Sequence, residues 1–177
     1  MKVFLAIKIP LAARRQIEEQ IADFKMEYPY MTWVPEENYH LTLYNFDDME
    51  DTKKIEKVIE DSLFEIRPFT LFAMGIDIHL SDKITLYMNF YREKMLEALI
   101  KTIYEAVNDS DKREIAPHVV LARYKVPSKQ QYLLIKKKIH NLSIDIEFLV
   151  PKIYLYESIT GGKKPVYKKL AEFTLPA

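Results

Sequence analysis

The chain has 177 residues, the usual size of one domain or at most two small lobes. Hydrophobic residues make up 49% and charged residues 29%, and the absence of cysteine excludes disulfides, thiolate metal sites and cysteine nucleophiles. The formal net charge is zero, which excludes a general electrostatic attraction to nucleic acid.

The first half of the chain divides into strands and helices by its apolar spacing. In order, the pattern predicts a strand, a helix, a second strand and a second helix over residues 3–9, 11–28, 33–46 and 52–66. The segments FTLFAMGIDIHL and KITLYMNF then read as two strands of a hairpin that turns at Ser81-Asp82. A third helix over 94–107 completes this half.

The second half follows a similar order. It begins with the strand PHVVLARYK and a helix over 128–141. A long strand, IDIEFLVPKIYLYES, is interrupted at Pro151, and VYKKLAEFTL closes the chain after a turn at Gly161-Gly162. Hairpins that alternate with helices predict a two-lobed α+β fold with mainly antiparallel sheets and the helices outside. No linker divides the halves, so we expect residues 1–177 to form a single domain.

Several familiar site motifs are missing from the sequence. Three glycines are too few for a glycine-rich phosphate loop, and neither an HExxH nor a GxSxG motif occurs. GGKK after Thr160 reads as a hairpin turn. Asp77 and His79 could share a face as metal ligands, but polar surface beside a turn is the simpler interpretation. His140 fits the C-terminal end of a helix, where a cation is favourable.

The two remaining histidines occupy equivalent places in the two halves. In YHLTLYNF, strand alternation places His40 and Thr42 on the face opposite the apolar side chains. In PHVVLARY, it places His118 beside Val120 in the same way. Two imidazoles that face each other across a groove can accept and donate protons near neutral pH. Phosphodiester cleavage at a ribose needs that arrangement and no metal.

The same alternation assigns three neighbouring side chains to a face. Tyr44 shares the face of His40 and Tyr124 the face of His118, where either ring could stack on a base, or pack in the core or at the rim. Arg123 falls on the face opposite His118. A role for Arg123 at the site therefore requires a β-bulge or the end of the strand.

Four segments in the right order resemble the 2H phosphoesterase superfamily, in particular the LigT-like RNA 2′,3′-cyclic phosphodiesterases, also described as 2′-5′ RNA ligases. VFLAIKIP resembles the opening strand, WVPEENYHLTL the stretch into the first H-x-T-x motif, and PHVVLAR the second motif, usually P-H-[IV]-T-L-A-R. YLYESITGGKKPVYKKLAEFTL, with Ser158 and Tyr167, resembles the closing hairpin. The resemblance covers nearly the whole chain and implies two lobes around a central cleft.

The resemblance also implies roles for individual residues. His40 and His118 would be catalytic, Thr42 would hold a phosphoryl oxygen, and Arg123 would add positive charge. The chain departs from the family pattern at two places. Asn45-Phe46-Asp47 stands where Phe-Leu-Gly is common, and Val120 replaces the second threonine, which is a phosphate hydrogen-bond donor.

The resemblance implies a metal-independent enzyme without cofactor that opens 2′,3′-cyclic phosphates of RNA ends or nucleotides, typically to 2′-phosphates. We assign His118 as the base and His40 as the acid, with the reverse also open. The alternatives are another cyclic phosphate or a 2′-5′ linkage, or an RNA- or nucleotide-binding homologue of weak activity, which the loss of threonine at 120 would permit. We expect a cytoplasmic monomer without membrane contact.

Overall fold

The strands of the protein curl into an antiparallel sheet that carries the helices on one face. The computed structural model describes residues 1–110, 116–125 and 128–177. The strands are β1 (Lys2–Lys8), β2 (Thr32–Trp33), β3 (His40–Asn45), β4 (Phe69–Leu80), β5 (Lys83–Phe90), β6 (His118–Lys125), β7 (Glu147–Val150), β8 (Lys152–Ile159) and β9 (Val166–Thr174). The helices are α1 (Leu11–Glu27), α2 (Lys53–Ser62), α3 (Lys94–Ala106) and α4 (Lys129–His140).

The order of strands in the sheet is nearly symmetric about its centre. It runs β7-β4-β5-β6-β3-β1-β8-β9, with β2 beside β6. Exchanging β3 with β6, β1 with β5, β8 with β4 and β9 with β7 leaves this order unchanged. The approximate two-fold axis passes between β3 and β6, which pair at Leu41 and Val119. The predicted two-lobed α+β fold with mainly antiparallel strands is confirmed.

The helices form where the sequence repeats apolar residues every three or four positions. In α1 the buried residues are Ala13, Ile17, Ile21 and Phe24. Helix α4 begins with a capping box in which Ser128 and Gln131 satisfy each other's backbone N–H groups. The buried helix side chains pack with those of one sheet face in a continuous core. The opposite sheet face carries a smaller apolar cluster of Phe4, Ala6 and Tyr156.

Two predicted strands are divided in the structure. The strand predicted over 33–46 is broken by a 3₁₀ turn, Glu36–Asn38, that follows Pro35. The Asn38 N–H donates to the Pro35 carbonyl at 2.9 Å, which ends the extended conformation before His40. Pro151 separates β7 from β8 as predicted, and these two strands lie near opposite edges of the sheet. Within the described residues, no helix is long and apolar enough to cross a membrane.

Candidate functional site

The two histidine-bearing strands lie side by side at the centre of the sheet. Within the described residues, β3 and β6 are joined at the pair Leu41 and Val119, both fully buried in the core. The side chains before and after each of these residues point to the other face, away from the helices. The pairing therefore brings the two histidine motifs together, as the resemblance implied.

The register of that pair determines which motif side chains face each other. Continued by one residue in each direction, it sets His40 opposite Val120 and Thr42 opposite His118. Side chains directly opposite in such a pair have Cβ atoms about 5 Å apart. On that register the four positions would form two opposite pairs, with the two histidine positions on one diagonal and positions 42 and 120 on the other.

A β-bulge on β6 brings Arg123 to the histidine face. The pairing of β6 with β5 shifts by one residue between Val120 and Ala122, so Leu121 is an extra residue. A bulge of this kind reverses the faces of the residues that follow it. Arg123 consequently borders the same cavity as His118. The condition that strand alternation imposed on Arg123 is met.

The same bulge removes Tyr124 from that face. Tyr124 lies opposite the buried Ile84 of β5, and its ring is 5.2 Å from the ring of Tyr30. It borders a small separate cavity next to Gln131 of α4. The prediction that Tyr124 shares the face of His118 is wrong, because alternation was counted through a bulge.

An equivalent bulge on β3 redirects Tyr44. The pairing of β3 with β1 shifts by one residue at Leu43, so Tyr44 lies opposite the core residue Leu5. The Tyr44 hydroxyl donates to the Asp109 carboxylate at 2.7 Å, and Tyr44 borders the same cavity as His118. The prediction that Tyr44 shares the face of His40 is wrong for the same reason.

Both histidine rings are held by backbone carbonyls in the same way. His40 Nδ1 lies 2.7 Å from the carbonyl oxygen of Asn38, and His118 Nδ1 lies 2.9 Å from that of Ala116. A carbonyl can only accept a hydrogen bond, so each Nδ1 is the donor. Each neutral ring then presents an unprotonated Nε2 that can take a proton. In both lobes, the backbone carbonyl therefore fixes the neutral ring as the tautomer with its proton on Nδ1.

The surroundings of His40 favour its uncharged form. Its ring lies 5.1 Å from the ring of Phe4 and 5.1 Å from that of Tyr167, edge-on to the latter. Burial among these groups lowers the pKa of His40 below its usual value, although the carbonyl bonded to Nδ1 acts to raise it. The positive charges of Arg123 and His118 lower the pKa of His40 further. Arg123 therefore acts electrostatically on the imidazole of the other lobe.

Two adjoining cavities flank the motif strands and together form the cleft. The one of about 440 Å³ is bordered by His40, Phe4 and Tyr167. The one of about 720 Å³ is bordered by His118 and Arg123. Thr42 and Asn45 border both cavities, so Thr42 stands between the two imidazole sites.

The segment after the first motif and the closing hairpin together form the wall beside His40. Asn45 and Asp47, from the departure after the first motif, border the smaller cavity. The closing hairpin supplies Ser158 and Tyr167, which pair across β8 and β9 and border the same cavity. The turn of this hairpin lies at Gly161-Gly162, as predicted, and Gly161 has a φ of 141°.

Strand β5 supplies a wall of the cleft that the motif analysis missed. Thr85, Tyr87 and Asn89 alternate with buried apolar residues and border the larger cavity. The Tyr87 ring lies 5.4 Å from the His118 ring. The Asn89 Oδ1 is buried and has no hydrogen-bond partner among the described residues. The polar alternation in KITLYMNF is the signal that could have found these residues.

Of the two remaining histidines, His140 does not border the cleft and His79 borders its larger cavity. His140 Nε2 lies 4.0 Å from Asp77 Oδ1, at a surface contact between α4 and β4. His79 borders the larger cavity but pairs with Thr85 on the strand next to the motif strand. In the part of the chain that the structure describes, no three His, Cys, Asp or Glu residues are grouped so as to hold a metal ion.

The chain matches known proteins over most of its length. The family model described as the 2′-5′ RNA ligase superfamily matches residues 13–162. An RNA 2′,3′-cyclic phosphodiesterase of Thermotoga maritima is 26% identical over 182 residues, covering 97% of this chain and 94% of that relative. The crystal structure of TT0787 of Thermus thermophilus has a TM-score of 0.74 at 21% identity, covering 99% and 98% of the two chains. The crystal structure of E. coli LigT complexed with 3′-AMP has a TM-score of 0.70 at 21% identity, again covering 99% and 98%.

Proposed function

Because the chain belongs to the 2′-5′ RNA ligase superfamily, we propose that it is a phosphodiesterase that opens 2′,3′-cyclic phosphates at RNA ends or on nucleotides. Relatives named RNA 2′,3′-cyclic phosphodiesterase, which match over nearly the whole chain, support the reaction. The 3′-AMP complex of E. coli LigT, which has the same fold, supports a nucleotide as substrate.

The observation that carries the proposal is the matched pair of imidazoles. His40 and His118 come from two-fold related strands and share one sheet face. Each ring is fixed through Nδ1 by a carbonyl two residues earlier. Both Nε2 atoms are thus left for substrate. Opening a cyclic phosphate requires one proton acceptor and one proton donor on opposite sides of a phosphorus atom, and this pair can supply both.

The reaction follows from that arrangement. One Nε2 takes a proton from water as the water oxygen bonds to phosphorus. The bond from phosphorus to the ribose 3′-oxygen breaks, and the other imidazole, in its protonated form, gives that oxygen its proton. The product is a 2′-phosphate. The base then releases its proton to solvent and the acid takes one up from solvent, which restores both rings. All proton transfers are made by side chains of this chain, so we propose that the reaction needs no metal and no cofactor.

The protonation of the two rings bears on which is the base. Burial lowers the pKa of His40 and so favours its neutral ring before substrate binds. A neutral ring is the form that a base requires. This direction supports His40 as the base and His118 as the acid, which is the reverse of the assignment that the sequence analysis placed first.

Two further residues would hold the phosphate. Thr42 borders both cavities and can donate its hydroxyl hydrogen to a phosphoryl oxygen between the two rings. Arg123 supplies the positive charge on the side of His118. The same charge lowers the pKa of His40, so it acts at that ring as well. Hydrogen bonds and charges aimed at these oxygens stabilise the transition state more than the ground state.

A second candidate function rests on Val120. A methyl group stands where the family pattern places a hydroxyl, so one donor to the phosphate is absent from β6. If nothing replaces that donor, the cleft would bind RNA ends or nucleotides with little or no turnover.

The experiment separates turnover from binding. Purified protein is incubated with 2′,3′-cyclic AMP and with oligonucleotides that end in a cyclic phosphate, and products are resolved by chromatography. The two-histidine mechanism predicts conversion to the 2′-phosphate, loss of conversion in His40→Gln and His118→Gln, and no change in His140→Gln as a matched control. Binding of 2′-AMP without hydrolysis of any cyclic phosphate would establish the binding homologue instead.

A further inference from the structure

The two lobes hold a hydroxyl-bearing side chain at different places beside their histidines. On the first lobe, Thr42 of the motif strand lies opposite Ala6 of the neighbouring strand β1. On the second lobe, Val120 of the motif strand lies opposite Tyr87 of the neighbouring strand β5. In each lobe a hydroxyl-bearing residue thus lies opposite an apolar one. The hydroxyl is on the motif strand in the first lobe and on the neighbouring strand in the second.

The equivalence of these pairs follows from the sheet order and from the bulges. β5 is the outer neighbour of the motif strand β6, and β1 is the outer neighbour of the motif strand β3. In both lobes the pair is followed by a one-residue shift, at Leu43 in the first lobe and at Leu121 in the second. Residues directly opposite in an antiparallel pair lie on the same face. Tyr87 therefore projects from the same face as Val120, one strand farther from the centre.

The contacts of Tyr87 place its ring at the site. Its ring lies 5.4 Å from the His118 ring at an angle of 67°. Together with Val120, His118 and Arg123, it borders the larger cavity, which Thr42 also borders. No hydrogen bond to the Tyr87 hydroxyl is made by the residues that the structure describes. A phenol on a longer arm can reach back over the space that the shorter valine leaves open.

We propose that the Tyr87 hydroxyl donates to the phosphoryl oxygen on the His118 side, in place of the hydroxyl that a threonine at position 120 would supply. This role rests on the proposed phosphodiesterase function and makes Tyr87 a catalytic residue in direct contact with substrate. The cleft then has one hydroxyl donor from each lobe, Thr42 from the first and Tyr87 from the second. On this proposal, valine at position 120 does not mean that the activity is lost, because the hydroxyl donor is at position 87 instead.

The protonation of Tyr87 suits a donor. Burial raises the pKa of its hydroxyl above the usual value, and the negative charge of Asp77 raises it further. The phenol therefore keeps its proton across the pH range in which imidazoles titrate. A hydroxyl that stays protonated can donate to a phosphoryl oxygen in both the ground state and the transition state.

The test compares four proteins on 2′,3′-cyclic AMP: wild type, Tyr87→Phe, Val120→Thr and the double variant. Removing one hydrogen bond to a charged group should lower kcat/KM about 10- to 100-fold in Tyr87→Phe, although the ring and its contact with His118 remain. Val120→Thr should restore most of the loss in the Tyr87→Phe background, and the factor by which it raises kcat/KM there should exceed the factor by which it changes the wild-type value. Tyr91→Phe, which removes the hydroxyl of an exposed tyrosine outside the cleft, is the matched control.

Each outcome bears on the proposal. A wild-type rate in Tyr87→Phe, or a gain from Val120→Thr that is the same in both backgrounds, would overturn it and leave the phosphodiesterase function standing. If wild type opens no cyclic phosphate, the function fails, and binding of inorganic phosphate, followed by the NMR signals of the histidine rings, tests Tyr87 by itself. Weaker phosphate binding in Tyr87→Phe would then support the contact, and unchanged binding would refute it.

Discussion

Replacing Thr42 with valine would give the first lobe the same motif residue as the second, without the compensation that the second lobe has. The residue opposite Thr42 on β1 is Ala6, so the neighbouring strand offers no hydroxyl in exchange for the one lost in Thr42→Val. A hydrogen bond to a charged group contributes about 1.5–3 kcal/mol, and each 1.36 kcal/mol corresponds to a factor of ten in rate. We therefore expect kcat/KM to fall about 10- to 100-fold.

The fold should tolerate this change. Valine is close to threonine in shape, and Thr42 points into the cleft and not into the core. Its hydroxyl makes no hydrogen bond to the described residues, so we expect the free energy of unfolding to change by less than about 0.5 kcal/mol.

The assay is steady-state hydrolysis of 2′,3′-cyclic AMP, with a melting curve of each protein. Thr174→Val, at the exposed end of β9, is the matched control and should match wild type in both measurements. A Thr42→Val protein with kcat/KM within threefold of wild type would refute the reasoning. So would a loss of activity that only accompanies a lower melting temperature.

Four further results are expected from the same geometry. His40→Ala and His118→Ala should each lower turnover about 10² to 10⁴-fold, and the double variant should be little worse than either, which kinetics on purified proteins will check. Activity should survive EDTA and show a bell-shaped pH profile; activity lost on chelation and restored by one divalent ion would contradict the metal-free reaction. A substrate with sulfur in place of the leaving ribose oxygen needs no proton from the acid. On this substrate His118→Ala, which lacks the acid, should recover more activity than His40→Ala, which lacks the base. Because the pKa of His40 is lowered in the folded state, the unfolded state binds more protons at this residue. The free energy of unfolding should therefore rise with pH until about pH 6.5, the usual pKa of histidine. Denaturant titrations of His40→Gln should show a smaller rise.

The sequence predicted the elements of the fold but not their contacts across strands. Helical spacing and proline stops located the helices, and strand alternation put His40 and Thr42 on one face. Alternation failed at Tyr44 and Tyr124, because a β-bulge depends on the pairing with a neighbouring strand and leaves no periodic mark in the sequence. Alternation placed Arg123 on the face opposite His118 for the same reason, since the bulge at Leu121 is what brings it into the cleft.

The β5 wall was missed for a related reason. KITLYMNF alternates polar and apolar side chains, but the sequence does not state that its polar face meets His118 across β6. Only the register of the two strands makes Tyr87 the partner of Val120. Motif comparison examines residues along one strand, whereas the chemistry of the cleft is shared between strands.

The two-fold arrangement of the sheet has a consequence for how this architecture can change over evolution. Each lobe builds its own wall from a central strand and the strand beside it, and the walls touch at a short seam between β3 and β6. A substitution in one wall can be compensated inside that wall without disturbing the other histidine. Among descendants of the same ancestor, positions 87 and 120 should therefore vary together, with a hydroxyl at one or the other, while position 42 varies independently of both.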